Sequence, residues 1–184
     1  MQHLGTVMLE TPRLLLRRFA ADDAADMYDN WASDDEVTRF LTWPTHRSLE
    51  VSQHVAAQWV EGYKDDKFYQ WCIELKEIGE AIGSIAVVEI MENINTAVIG
   101  YVIGKVWWRQ GIMPEAFSAV IDFLFNKVGF NRIEARHDPH NPNSGKVMQK
   151  CGLKYEGTMI QASRNNTGIC DSAVYGIINP NRQM

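Results

Sequence analysis

GYVIGKVWWRQGIMPEAFSAVIDFLFNKVGF, residues 100–130, changes its hydrophobic period from that of a strand to that of a helix within a few positions. Up to about Ile103 it is rich in β-branched residues, as a strand requires. Further on, Phe117, Val120, Ile121, Leu124 and Val128 recur at helical spacing. Pro114 suits a first helical residue, and Gly129 is a natural stop. Between strand and helix lies a loop around Gly111. A glycine ahead of a helix lets the backbone come close to a ligand. The free N–H groups and the positive end of the helix dipole then favour an anion such as a pyrophosphate. Arg109, Gln110, Gly111, Ile112 and Met113 would present those amides, with Arg109 adding charge. An ordinary strand-to-helix connection that happens to contain Gly and Arg has the same pattern, so this piece alone does not decide for function.

Outward from this segment the period alternates again. In YQWCIEL (69–75), Tyr69, Trp71, Ile73 and Leu75 alternate with Gln70, Cys72 and Glu74, the pattern of a half-buried strand. EAIGSIAVVEI (80–90) and TAVIGYVIG (96–104) are punctuated by Gly79 and by Glu92–Asn95, giving three antiparallel strands. Further upstream, RLLLRRF (13–19) reads as a first strand bounded by Pro12. AADDAADMYDNWAS (20–33) reads as a helix with Asp22 and Asp23 near its first turn. A second helix runs from about Ser48 to Gly62, with Val51, Val55 and Trp59 as its apolar stripe. Downstream come a strand, NRIEARHD (131–138), a short helix ended by Gly152, and two strands, LKYEGTMI (153–160) and DSAVYGII (171–178). The fold class is α/β (α+β): a mixed, mostly antiparallel sheet of about seven strands flanked by about four helices. With no linker or repeat, residues 1–184 read as a single domain.

Composition narrows the function classes. The chain has 184 residues, of which 46% are hydrophobic, enough for a core without disulfides or metals. Its 18 basic and 23 acidic residues give a net charge of −5, which argues against a nucleic-acid or anionic-membrane binder. Cys72, Cys151 and Cys170 are widely spaced with no CxxC pair, which suits free thiols in a reducing compartment. No segment reads as a signal sequence or membrane span, so a cytoplasmic location is expected.

A second informative stretch is HDPHNPNSGKVMQKCGLKYEG (137–157). Asn141 and Ser144 bracket the start of its helix, and simple N-capping would account for them. Capping does not account for this helix following the glycine-loop helix by one strand, an order in which both helix N-termini can face one crevice.

Taken together, these stretches resemble the GNAT superfamily of acyl-CoA N-acyltransferases, within it the RimJ/RimL-like group. LETPRLLLRRF (9–19), SDDEVTRFL (33–41), GYVIGKVWWRQGIMPEA (100–116) and NRIEARHDPHNPNSGKVMQKCGLKYEG (131–157) match the group's blocks in order and spacing, across nearly the whole chain. The resemblance implies acetyl-CoA as co-substrate and an amine as acceptor. It implies that Tyr101, Val102 and Ile103 hold pantetheine through main-chain groups on a splayed strand. The loop of Trp108, Arg109, Gln110, Gly111, Ile112 and Met113 would cradle the pyrophosphate. Asn141 would contact the coenzyme near the thioester, and Ser144 would give a proton to the departing thiolate. Two positions depart from the superfamily pattern. The loop usually reads Gln/Arg-x-x-Gly-x-Gly/Ala; here its ends are Trp108 and Met113, so Met113 is expected to narrow it. The strand glutamate of many relatives is replaced by Val98, which removes a base.

A neutral amine attacks a thioester, and an N-terminal α-amine with a pKa near ~8 needs less help than a lysine-like amine. Direct transfer in a ternary complex is expected, with positioning, an N–H donor for the developing oxyanion, a base and an acid. Glu89, at the end of the third of the four upstream strands, is the candidate base, its alternative being a solvated strand-end carboxylate. His137 falls on a strand and His140 in a turn; with no ligand-spaced cluster, no metal site is expected. Cys72 and Cys151 read as packing residues. Trp31, Trp43, Trp59 and Trp71 read as core residues, of which some, especially Trp31 and Trp43, could line the acceptor cleft. Three functions stay open: acetylation of a protein or peptide N-terminus, acetylation of a small amine (polyamine, amino acid or aminoglycoside-like), and acyl-CoA binding without catalysis. A homodimer is compatible with the exposed aromatics of the last strands.

Overall fold

In the computed structural model, which describes residues 1–181, the chain forms strands β1 (Leu9–Glu10), β2 (Leu14–Arg17), β3 (Gln70–Leu75), β4 (Glu80–Met91), β5 (Thr96–Ile103), β6 (Arg132–His137), β7 (Lys154–Asn165) and β8 (Gly168–Ile178). They make one sheet in the order β1-β2-β3-β4-β5-β6-β8-β7. Every neighbouring pair is antiparallel except β5 with β6. The mixed, mostly antiparallel sheet is thus as the sequence indicates, with eight strands instead of seven. The additional one is β1, which pairs back on β2 through Leu9↔Leu16. Pro12 separates the two, because a residue with fixed φ and no N–H breaks a ladder.

The helices are α1 (Asp23–Met27), α2 (Asp35–Thr38), α3 (Leu49–Gly62), α4 (Ile112–Phe123) and α5 (Pro142–Lys150). A π turn extends α1 through Ala32, and another extends α4 to Val128, where Gly129 at φ 89° ends it. The unexpected helix is the short α2, started by the Asp34 carboxylate accepting the Glu36 N–H at 2.8 Å. Among the described residues, no helix is long and apolar enough to cross a membrane.

Two cores sandwich the sheet. On one face, α4 and α5 pack over Trp71, Ile85, Ile99, Phe117, Phe130 and Met148. On the other, α1 and α3 pack over Phe19, Met27, Trp31, Cys72, Ala81 and Val102. Because β3 lies between both cores, Gln70 and Cys72 are buried along with Trp71 and Ile73, and the half-buried reading of this strand is corrected. On α3 the buried positions are Ser52 and Ala56, flanked by Val55 and Trp59; Val51 is exposed, so the apolar face is rotated from the stripe read in the sequence. On that buried face His46 Nδ1 and Ser52 Oγ lie 2.7 Å apart.

The feature that creates a site is where the parallel pair stops. β5 and β6 register from Thr96↔Arg132 to Ile99↔Ala135 and no further. Gly100–Ile103 continue along β4 alone, through Ala86↔Gly100 to Gly83↔Ile103. A strand edge with unpaired backbone groups therefore faces a gap inside the sheet. Opposite it, Val88 bulges from β4 between the Val87↔Ile99 and Glu89↔Val98 pairs.

Candidate active site

A cleft of ≈ 930 Å³ opens where β5 and β6 part, lined by Tyr101, Val102 and Ile103 on the strand and by Asn141 and Ser144 on the start of α5. Trp108, Arg109, Gly111, Ile112 and Met113 line it from the loop ahead of α4. The two helix N-termini expected to share a crevice do share one.

The loop owes its shape to backbone conformation. Gly111 caps α4 at φ 75°, and Arg109 two residues earlier also has a positive φ of 63°. Left-handed residues in such a turn aim consecutive amides toward one point, which makes an anion-binding concavity. α4 begins at Ile112, so Pro114 is its third residue and not its first. Met113 is 4% exposed and packs into the core while also lining the cleft at the loop. Gln110 turns out of the cleft: its Nε2 donates to the Val106 carbonyl at 2.8 Å, and its own carbonyl accepts from Arg13 Nη1 at 2.9 Å. Arg13 also pairs with Glu115 at 2.6 Å and so fastens the first strands to α4. Nothing in the local sequence signals this partner, which lies about a hundred residues away. The side chains of Arg109, Lys146 and Lys150 line the cleft and form no ion pair among the described residues.

On α5, Asn141 occupies the N-cap position, yet its side chain makes no capping bond. Capping therefore does not explain its presence, and the residue lines the cleft. The Ser144 hydroxyl meets the Tyr101 hydroxyl at 2.9 Å, and the Tyr101 hydroxyl also reaches the Ser144 carbonyl at 2.9 Å. Tyr101 packs against Phe117, and burial pushes its phenol above the ordinary range despite the Ser144 bond. Gly145 lets α5 sit close: a Cβ there would lie 2.7 Å from His137 Nε2. His137 Nδ1 faces the Asp138 carbonyl at 2.8 Å, and Nε2 is buried without a partner.

The cleft continues to the face covered by α1 and α3, where Phe40, Trp43, Trp59, Glu89, Arg136 and Asp138 line it. Trp43 lines it as the sequence allowed; Trp31 does not, being 1% exposed in the core beneath. Glu89 stands just past the Val88 bulge, half exposed and 4.0 Å from Arg136. The turn between β7 and β8 straps this half. Asn166 donates from its N–H to the Leu41 carbonyl at 3.2 Å and from Nδ2 to the Thr38 and Trp43 carbonyls at 2.8 Å each. Neighbouring Asn165 donates to Asp138 Oδ2 at 2.8 Å. Burial works against the Asp138 carboxylate, but bonds from His140 and Asn165 outweigh it and hold the group below the usual range. Burial raises all three cysteine thiols, Cys151 to about 11.

The family model described as an acetyltransferase (GNAT) domain matches residues 13–154. An uncharacterized N-acetyltransferase of Bacillus subtilis (strain 168), YoaA, is 31% identical over 173 residues, spanning 94% of this chain and 97% of its own. The [ribosomal protein uS5]-alanine N-acetyltransferase of Escherichia coli (strain K12) is 26% identical, spanning 82% of this chain and 80% of its own. In fold, the chain is similar to the crystal structure of the ribosomal-protein-S5-alanine acetyltransferase from Vibrio fischeri. The TM-score is 0.84 at 21% identity, covering 97% of this chain and 100% of that one.

Proposed function

The chain belongs to the acetyltransferase (GNAT) family of acetyl-CoA-dependent N-acyltransferases, and from that premise we propose that its acceptor is the α-amine of a protein or peptide N-terminus, as in the RimJ/RimL-like group. The observation that carries this reading is the charge of the acceptor half. A polyamine or aminoglycoside calls for a pocket of free carboxylates. Here Glu36 pairs with Lys105, Asp138 is held by Asn165 and His140, Asp171 accepts the Gln161 N–H, and Glu89 faces Arg136. Arg39 and Arg136 also line the cleft. Aromatic Phe40 and Trp43 beside such mixed charge suit a peptide, whose one obligatory cation is its terminal amine. The uS5-alanine relative supports the same acceptor class.

When bound, acetyl-CoA supplies an acyl thioester. In this reading the free edge of Tyr101, Val102 and Ile103 holds the pantetheine arm by main-chain bonds. The amides of residues 108–113 and the Arg109 charge receive the pyrophosphate. The Asn141 amide orients the thioester end, and the Ser144 hydroxyl protonates the departing sulfur. Tyr101 fixes that hydroxyl. Glu89 lines the acceptor half as its exposed carboxylate. No cysteine is suited to carry the acyl group, so transfer is direct, within a ternary complex.

An acceptor panel tests the reading. Initial rates with acetyl-CoA are compared for peptides with free and blocked N-termini, for spermidine and for an aminoglycoside. Turnover confined to free α-amines supports it. Faster turnover of spermidine or of the aminoglycoside replaces it with the small-amine reading, and binding without any turnover replaces it with a binding module.

A further inference from the structure

An attacking amine must give up a proton, and the strand position to which the family resemblance assigns a carboxylate holds Val98. The loop between β6 and α5 holds a different proton-accepting arrangement. The Asp138 side chain is 2% exposed, and its Oδ2 accepts from Asn165 Nδ2 at 2.8 Å. Its Oδ1 accepts the backbone N–H of His140 at 2.8 Å and meets Nδ1 of the same imidazole at 2.9 Å. An ionised carboxylate only accepts, so Nδ1 carries the hydrogen, and the neutral ring keeps its lone pair on Nε2. The ring is 84% exposed and lines the cleft, immediately before Asn141 and one helical turn before Ser144. A turn would need only the backbone bond; the second bond, from ring to carboxylate, orients the imidazole. A nitrogen oriented on one side and free on the other is what a general base requires.

Resting on the transferase reading above, we propose that His140, positioned by Asp138, is the proton acceptor for the attacking amine. The acceptor nitrogen bonds to the acyl carbon, and its proton passes to Nε2 directly or through one water. The carbon–sulfur bond breaks with its electron pair going to sulfur, which takes the Ser144 hydroxyl proton. Water then returns a proton from His140 to Ser144, so the chain is restored and one proton has moved from nitrogen to sulfur. The charged or titratable groups sharing this part of the cleft are Arg136, His137 and Asp138 at the end of β6, Lys146 on α5, Cys170 and Asp171 on β8, and Glu89 on β4.

Two readouts test the dyad. Imidazole proton–nitrogen correlation spectra of the full chain without ligands, with His140 assigned through His140→Gln, should show it as the Nδ1–H tautomer, and Asp138→Asn should erode that preference. With acetyl-CoA and a free-N-terminus peptide, His140→Gln should lower kcat/KM by about a hundredfold or more while acetyl-CoA affinity is unchanged. It should also remove the imidazole limb of the pH–rate profile, a limb that Glu89→Gln retains, and leave the limb of the peptide amine. An Nε2–H tautomer, a His140→Gln enzyme with the wild-type rate and profile, or a limb lost in Glu89→Gln instead would overturn the proposal. A wild-type protein that turns over no acceptor counts against the transferase reading alone, and the tautomer then decides whether the dyad exists.

Discussion

The Tyr101 hydroxyl lies 2.9 Å from Ser144 Oγ and 2.9 Å from the Ser144 carbonyl, joining the splayed strand to the first turn of α5. Tyr101 has one hydroxyl proton and the carbonyl can only accept, so with that proton on the carbonyl, Ser144 donates into the phenol oxygen. The pair holds Ser144 in one rotamer at the place where the thioester sulfur is proposed to leave.

Ser144→Ala should therefore lower kcat by about 10²–10³-fold, the usual range for loss of a positioned acid. Tyr101→Phe should cost about tenfold, as loss of a positioning bond worth ~1.4 kcal/mol. Because both changes remove one device, the double variant should be barely slower than Ser144→Ala. Stopped-flow rates with acetyl-CoA affinities measured alongside check this, and affinities should change little.

Stability and binding should move in opposite directions at Arg109. Its φ of 63° is strained for a residue with a side chain, so Arg109→Gly should stabilise the fold by about 1 kcal/mol. That corresponds to roughly 2–4 °C in Tm for a chain of this size. The same change removes a cleft-lining cation and should weaken acetyl-CoA binding. Gly111→Ala, at φ 75°, should instead lower Tm by a similar amount. Thermal melts and calorimetric titration of acetyl-CoA separate the two effects.

Glu115 receives Thr11 Oγ1 at 2.6 Å and the Arg13 backbone and side chain at 3.0 and 2.6 Å. Burial works to raise its carboxyl, but these bonds outweigh it and hold the group below the usual range. A depressed folded pKa contributes stability that is present above the unfolded carboxylate range and lost as pH falls through the folded value. Glu115→Gln should thus lower Tm at neutral pH, and the gap to wild type should close on acidification. Melts at a series of pH values give the sign directly.

Asn166 closes the acceptor half by bonding to the Thr38 and Trp43 carbonyls. Asn166→Ala removes both side-chain bonds, each worth about 0.5–1.5 kcal/mol. The roof of residues 38–43 should loosen, raising the acceptor KM several-fold while leaving the acetyl-CoA KM in place. Steady-state kinetics with each substrate varied in turn distinguishes this from a general loss of fold.

What the sequence disclosed, and what it withheld, follows the range of the forces involved. The period change after Ile103, the stop at Gly129 and the blocks around Gly111 and Asn141 are local, and the fold class and the loop could be read from them. Whether β3 is covered on one face or two depends on α1 and α3 packing from elsewhere in the chain, so Gln70 and Cys72 were placed on an exposed face and proved buried. Trp31 and Trp43 are twelve residues apart, with α2 between them, yet one fills the core and the other lines the cleft. Arg13 with Glu115, Tyr101 with Ser144 and Asn166 with Trp43 are pairs brought together only by the sheet. The Asp138–His140 bond is local, and an Asp-Pro-His turn gives a sequence sign of it, since Asp readily bonds the backbone two residues on.

The most direct test of the account is a two-substrate rate measurement: release of free thiol from acetyl-CoA, followed while a free-N-terminus peptide and acetyl-CoA are varied independently. The account expects release that depends on the peptide's α-amine, with intersecting double-reciprocal lines from a ternary complex. Parallel lines, the mark of an acylated enzyme, would contradict direct transfer, and release indifferent to a blocked N-terminus would contradict the α-amine acceptor.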